Sequence, residues 1–381
     1  MRALHVITGL GVGGAEQQLR LMLRHLPVRC DVVTLTNPGA VAEGLRADGV
    51  RVHHLGMRGN RDLAAVPRLA RLIRRGAYDL VHTHLYRACV YGRIAARLAG
   101  TPVLSTEHSL GRAEIEGRPL TRGTRELYLR TERLGAATVA VSDTVAGRLR
   151  DWGVPAARIH TVPNGIDPAS FRHDEGRRRS TRALLGIPGD AFVVGGVGRL
   201  VPGKRFDLLI RAVAALPDAW LVLAGEGPEA TSLRALAARL GVTGRVRLLG
   251  ECGSTDAAPG MPAVLSSVDV FVSASREETF GLAAVEALAA GLPVLYAVCP
   301  AVEDLPSGHA PGACRVASPS DTPHLAAALT SALTHRMESG TGRLPPPPAV
   351  DHYDIRRSSR RLMDVYAQAI DTEPPTWRAH R

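Results

Sequence analysis

Short β-type runs alternate with amphipathic helical stretches along the whole chain, and no other feature restricts the fold as much. Strand patterns are expected at residues 3–8, 31–36, 50–55, 80–83, 103–106, 138–141 and 159–162. Helical periodicity fills 16–26, 63–75, 88–99 and 144–152 between them. Such alternation predicts an α/β fold of parallel strands, doubly wound with helices on both faces. The pattern halts at Pro163-Asn164-Gly165-Ile166-Asp167-Pro168, and a polar basic patch follows over 172–182. Strands then resume at 192–197, 220–223, 246–249, 268–272 and 294–297. Two α/β domains are therefore expected, 1–168 and 169–350. Residues 340–350, with four consecutive prolines, read as an extended connector. Residues 351–381 form a final segment, with a helix at 355–370.

The length of 381 residues suits two domains. Aromatic residues make up only 4% of the chain, which disfavours extended stacking surfaces for bases. The net charge of +11 raises nucleic acid, anionic membrane and anionic substrate as partners. No arginine run is interleaved with aromatics, so nucleic acid ranks low. The five cysteines are odd in number and contain no Cys-x-x-Cys pair. That fits a reducing cytoplasm and offers no zinc knuckle. No apolar run approaches the roughly 20 residues of a spanning helix, and the N-terminus lacks a secretory core. A cytoplasmic protein is expected, at most peripheral at the inner face of the membrane.

Three segments carry chemistry. The first is Gly9-Leu10-Gly11-Val12-Gly13-Gly14-Ala15-Glu16, which follows a strand and opens a helix. Glycines let backbone amides approach a ligand, and a helix N-terminus favours anions. The run also fits G-x-G-x-x-G, but the second strand ends Thr34-Leu35-Thr36-Asn37, without the acid a dinucleotide site expects. The second is Gly198-Arg199-Leu200-Val201-Pro202-Gly203-Lys204-Arg205. Of 47 basic side chains, Lys204 is the one lysine. A guanidinium fork and a compact ammonium on one turn suit a diphosphate. The third runs from Glu277 to Gly291. Phe280, Gly281 and Leu282 should open a helix and turn amides toward a negative group. Glu286, one turn further among Ala, Val and Leu, is costly unless paired, and vicinal sugar hydroxyls would pair it. Glu278 stands before that helix; an N-terminal acid and a buried salt bridge are the plain structural alternative for the two glutamates.

With these residues the chain resembles the retaining GT-B glycosyltransferases of family four over nearly its whole length. The most specific piece is Glu278 and Glu286 within Glu-Thr-Phe-Gly-Leu-Ala-Ala-Val-Glu-Ala-Leu-Ala-Ala-Gly-Leu-Pro. Gly-Gly-Ala-Glu at 13–16, Val-Pro-Asn-Gly-Ile-Asp at 162–167 and Gly-Arg-Leu-Val-Pro-Gly-Lys at 198–204 support it. The resemblance implies two Rossmann-like domains facing a cleft, with the last helix crossing back to the first. It implies that Arg199 and Lys204 hold the donor diphosphate and that Glu286 binds the ribose hydroxyls. Glu278 would face the transferred sugar, and Gly13 and Gly14 would meet the phosphates from the opposite domain. His108, in Ser-Thr-Glu-His-Ser, matches a family histidine near the sugar; a structural hydrogen bond is the alternative for it.

The implied reaction moves a sugar from a nucleotide diphosphate sugar, uridine favoured and guanosine allowed, to a hydroxyl acceptor with retention. In it, same-face attack has a donor phosphate oxygen take the acceptor proton. No Asp-x-Asp motif is present, so neither a metal nor another cofactor is expected. A sugar-nucleotide epimerase of the same architecture, a nicotinamide-dependent oxidoreductase and a non-catalytic sugar-nucleotide sensor are the rivals. Two features depart from the family pattern: the irregular segment 251–262, and the missing glycine pair after the strand at 294. On the acceptor side, 58–75 spaces its leucines for a helix with a basic face. A core helix is favoured there over one lying on anionic lipid. The segment 112–133 is a second arginine-rich contact candidate.

Overall fold

The computed structural model describes residues 1–112, 114–116, 118–252, 259–316, 322–339 and 343–371. They divide into two compact units, Met1–Gly165 joined by the segment from Ile355, and Ile166–Asp354.

The strands of the first unit are β1 (Arg2–Ile7), β2 (Arg29–Thr34), β3 (Arg51–His54), β4 (Leu80–His84) and β5 (Val103–Glu107). A small antiparallel hairpin, β6 (Glu114–Ile115) and β7 (Arg118–Pro119), precedes β8 (Ala137–Ala140) and β9 (Ile159–Thr161). One parallel sheet runs in the order β3-β2-β1-β4-β5-β8-β9. Its helices are α1 (Gly14–His25), α2 (Gly39–Ala47), α3 (Ala65–Gly76), α4 (Tyr86–Ala99), α5 (Arg122–Glu132) and α6 (Asp143–Trp152). Side chains alternate across a strand, and both faces of this sheet are covered. Leu4, Val6 and Val81 pack with Leu69, Ile73 and Ala95 of α3 and α4. Ala3, Ile7, Leu80 and Leu104 pack on the other face with Leu19 and Met22 of α1. The apolar stripe of α3 is thus buried in the sheet core, and of its arginines Arg68 pairs with Asp62 while Arg74 donates to the Leu98 carbonyl. At α6 the Ser142 hydroxyl accepts the Val145 N–H at 3.1 Å, a cap whose loss costs about 1 kcal/mol.

The second unit has β10 (Phe192–Val197), β11 (Ala219–Ala224), β12 (Val246–Leu248), β13 (Val270–Ser273), β14 (Val294–Tyr296) and β15 (Ala313–Arg315). All are parallel, in the order β12-β11-β10-β13-β14-β15. Around them lie α7 (Glu175–Leu185), α8 (Phe206–Ala214), α9 (Ala230–Arg239), α10 (Met261–Ser267), α11 (Leu282–Ala289), α12 (Pro300–Glu303), α13 (Thr322–Ser339) and α14 (Pro348–His352). Val194, Leu209, Leu221, Leu223, Val270 and Leu325 share one core. The basic patch at 172–182 proves to be mostly α7, opened by Asp174, whose carboxylate accepts the Arg177 N–H at 2.8 Å. Arg178 and Arg182, one turn apart, are buried against the two oxygens of Asp269 at 2.8 and 2.9 Å. Of the irregular segment 251–262, residues 253–258 lie outside the described residues, as do 340–342 of the proline-rich connector.

The final helix, α15 (Ile355–Asp371), belongs to the first unit. It carries Ile355, Leu362, Val365, Tyr366 and Ala369 into the core that α1 shares with the sheet. Where the chain leaves and re-enters, Ile166 N–H donates to the Tyr353 carbonyl at 2.8 Å. Gly165 lies so close to Ile355 that a Cβ there would stand 2.6 Å from its Cα. No described helix is long and apolar enough to cross a membrane.

Candidate active site

In the second unit the predicted residues gather where the strand order reverses, beside β10 and β13, at the carboxyl ends that serve as binding crevices in open parallel sheets. After β10 the chain turns sharply. Gly198 N–H donates to Ala224 and Leu200 N–H to Glu226, at 2.9 and 2.8 Å, and Leu200 is buried. These anchors hold Arg199 between them, exposed and free of hydrogen bonds or ion pairs to the described residues. Pro202–Lys204 form one tight helical turn, and α8 follows. The segment after β13 is tied to this turn twice. Arg276 N–H donates to the Gly203 carbonyl at 3.0 Å, and the Lys204 ammonium bonds Glu278 Oε1. Lys204 and Glu278 are thus partners, a contact that sequence reasoning, which assigned them separate roles, did not anticipate.

Phe280 is buried and stands edge-on to Tyr353, with ring centroids 5.0 Å apart, which fixes the entry to α11. Gly281 caps that helix at φ 102°, and a Cβ there would stand 2.7 Å from the Cys299 sulfur, so only glycine fits. No side chain caps α11, which leaves its first amides, at Leu282 and Ala283, to an external acceptor. Glu286 lies one turn in. Burial raises its carboxyl to about 7, although part of its side chain stays open to solvent. It makes no hydrogen bond or ion pair to a described residue. Burial and then the charge of Glu286 push the neighbouring Cys252 thiol up to about 11.

In the first unit, Gly13 and Gly14 stand at the start of α1, again without a side-chain cap. Leu10 N–H donates to the Asn37 carbonyl at 2.8 Å, and Val41 N–H to the Leu10 carbonyl at 3.2 Å. Gly39, at φ 53°, comes so close to the Leu10 carbonyl that no side chain fits there. The glycine-rich turn is therefore held by the strand β2 side of the sheet.

His108 follows β5 and is buried, and its Nε2 lies 3.1 Å from Nδ1 of His84. Behind it stands a row of polar side chains that sequence reasoning missed. His84 Nε2 is 3.0 Å from His5 Nδ1, and His5 Nε2 is 3.4 Å from the Tyr366 hydroxyl. That hydroxyl is 2.8 Å from His82 Nδ1, and His82 Nε2 is 2.6 Å from Thr106 Oγ1. Burial lowers His5 to about 3 and His108 to about 4, and holds His82 and His84 well below the ordinary imidazole value. The signal was present in the sequence. His82-x-His84 within a strand places both rings on one face.

The ligating atoms of His5, His82 and His84 lie within 4.8 Å of one another, close enough for a metal ion. Every one of their ring nitrogens already has a hydrogen-bond partner, however, so an ion would have to displace that network.

Two parallel-sheet units, each with uncapped helix amides beside a strand end, and a last helix returning to the first unit, define the GT-B class of α/β proteins. Solved structures share this fold. Anabaena HepE in complex with UDP and glucose superposes with a TM-score of 0.83 at 22% identity, over 96% of this chain and 99% of that one. Sucrose-phosphate synthase from Thermosynechococcus elongatus gives 0.76 at 20% identity, over 98% and 100%. Residues 12–170 match Glycosyltransferase Family 4, and 177–339 match Glycosyl transferases group 1. The chain belongs to glycosyltransferase family 4, with a group 1 second unit. Among curated relatives, D-inositol 3-phosphate glycosyltransferase of Salinispora arenicola is 35% identical over 61% of this chain and 57% of that protein. The Mycobacterium bovis protein of the same name is 35% identical over 58% and 47%. The match thus spans about half the length of these relatives.

Proposed function

We propose that this protein is a retaining glycosyltransferase that moves a sugar from a nucleotide diphosphate sugar, UDP-sugar favoured, to a hydroxyl acceptor. The observation that carries the reading is the second-unit constellation. Lys204 and Glu278 are paired, no side chain caps α11, and among the described residues Arg199 and the largely enclosed carboxylate of Glu286 have no hydrogen-bond or ion-pair partner. Arg199, Lys204 and the amides at Gly281 and Leu282 bind the diphosphate and stabilise the charge that develops as it leaves. Glu286 accepts hydrogen bonds from the ribose hydroxyls. Glu278, next to Lys204, and His108 face the transferred sugar, and Gly13 and Gly14 offer amides to phosphate. A donor phosphate oxygen takes the acceptor proton on the face the leaving group vacates. Neither a metal nor another cofactor enters this reading. The preference for uridine draws support from the UDP held by HepE in its structures. Weak contact with anionic membrane remains the proposed role of exposed arginines on α3.

A thermal-shift titration with UDP, GDP and NAD tests the donor site. UDP is expected to raise the melting temperature of the wild type and to lose that effect in Glu286→Ala. Stabilisation by NAD alone would overturn the reading. Lys204→Ala should keep the fold and lose roughly 10²–10³-fold in turnover, the scale of removing one preorganised charge-stabilising donor. Near-normal turnover would remove the lysine from the mechanism.

A further inference from the structure

We propose that Gln18 and Tyr353 are positioning residues for the donor. Each ties the start of one helix, α1 or α11, to the place where the chain passes from the first unit to the second. The proposal rests on the reading of those two helix starts as the places that meet the donor diphosphate. Neither Gln18 nor Tyr353 needs to touch the donor itself.

In the second unit the link runs through Phe280, which immediately precedes Gly281 and α11. Its ring is buried edge-on against Tyr353, a favoured aromatic geometry, and Tyr353 is buried too. The Phe280 carbonyl accepts the Ala301 N–H at 2.8 Å, so ring and backbone both have fixed neighbours. The Tyr353 carbonyl accepts the Ile166 N–H at 2.8 Å, and Ile166 pairs with Asp354 as a parallel bridge. Tyr353 N–H in turn donates to the Ala349 carbonyl of α14 at 3.1 Å, and α14 packs on α11. The helical turn Pro168–Phe171, just past Ile166, packs on α11 as well. Both passages of the chain therefore lean on the helix that carries Glu286 and the Leu282 and Ala283 amides. Closely packed buried rings leave little slack between them. An anion that fixes the first turn of α11 thus restrains the carbonyl to which Ile166 is bonded.

In the first unit the preceding residue, Gly165, is held by α1. Gln18 lies one turn beyond Gly14 and is buried. Its side-chain amide, oriented to satisfy both groups, donates to the Gly165 carbonyl at 2.9 Å and accepts the Gly165 N–H at 3.1 Å. Two bonds from one planar amide fix both the distance and the orientation of that residue. Leaving such buried groups unpaired is costly, so the contact resists opening. Gly165 and Ile166 are consecutive in the chain, so α1 is fastened to one residue and α11 to the next. A ligand that bonds the first amides of either helix therefore restrains a neighbouring peptide. By reciprocity, whatever loosens that peptide weakens the ligand.

The test is backbone hydrogen exchange of the full chain with and without UDP, resolved at Gly165 and Ile166. UDP is expected to slow exchange at both amides. Tyr353→Leu removes the ring and keeps the carbonyl. It should abolish the UDP response at Ile166 and weaken UDP about 2- to 30-fold by titration calorimetry, the range for substitutions on a coupling route. Tyr353→Phe keeps the ring contact and should keep the response. Gln18→Leu should abolish the response at Gly165. A residue that only stabilises the fold would instead change exchange equally with and without UDP. UDP binding that leaves both amides unchanged in the wild type overturns the proposal. So does a Tyr353→Leu with the wild-type response, or a Tyr353→Phe as impaired as Tyr353→Leu. A response at one amide alone overturns the role of the residue that holds the other. Should a leucine variant not fold, the wild type and Tyr353→Phe decide. If UDP neither stabilises the protein nor alters exchange anywhere, the donor reading falls and takes this proposal with it.

Discussion

A carboxylate that accepts hydrogen bonds works only when ionised, and burial opposes ionisation at Glu286. Its carboxyl is raised to about 7, so near neutrality the side chain is divided between two forms. In the proposed reading, UDP affinity therefore rises with pH through about 7 and then levels off. Titration calorimetry between pH 5.5 and 8.5 checks this; Glu286→Gln should bind weakly with a flat profile. A flat profile in the wild type would remove Glu286 from the ribose. The raised value also has a stability sign. The folded state holds this proton more tightly than the unfolded one, so the contribution is full below the ordinary value of 4.5 and is lost as pH rises through about 7. The second-unit site was legible because its residues lie in two short runs, 199–204 and 278–286, each with its own local geometry. The histidine row was legible only in its His82-x-His84 pair on β4; His5 of β1, Thr106 of β5, His108 just after it and Tyr366 of α15 join that pair only through the sheet register and the returning helix.

Elements differ in how much of them a sequence can display. Most strands were readable from apolar runs, since both faces of a parallel sheet are buried. The helix α7 was not, because its inward face is arginine and looks like solvated surface. What buries Arg178 and Arg182 is Asp269, far along the chain, which also accepts the Val193 N–H at 2.8 Å. Asp269→Asn leaves two buried guanidiniums facing a neutral amide. It should destabilise the second unit by about 3–5 kcal/mol, as breaking a buried ion pair does, read from denaturant unfolding. A loss under about 1 kcal/mol would mean that the carbonyls of Ser267, Gly189 and Ala191, which also bond Arg182, suffice. The short strand β15 and the helix α2 also escaped reading, the first because three residues carry no period.

At the scale of the whole molecule the two units titrate differently. His5, His82, His84, His108 and His160 of the first unit are all lowered by burial. The unfolded chain then binds more protons, so their stabilisation is present above the ordinary value of 6.5 and is lost as pH falls. Among the described residues of this unit, Glu107, raised to about 7 by burial, opposes them. In the second unit the lowered His173 stands against the raised Glu286 and Glu251. Calorimetry from pH 7 to 5 should lower the melting of the first unit more than that of the second; equal shifts would contradict the neutral histidine row. One consequence concerns synthesis. The whole second unit is spelled out between Gly165 and Ile355, neighbours in the finished first unit. A chain emerging from the ribosome thus has all seven strands of its first sheet available long before Tyr366 exists. Its imidazoles must wait, without Tyr366, for a helix that arrives only after the entire second unit has been made. Translation order makes the first unit's polar network the last to be completed, so a chain cut short anywhere before α15 lacks the Tyr366 link between His82 and His5.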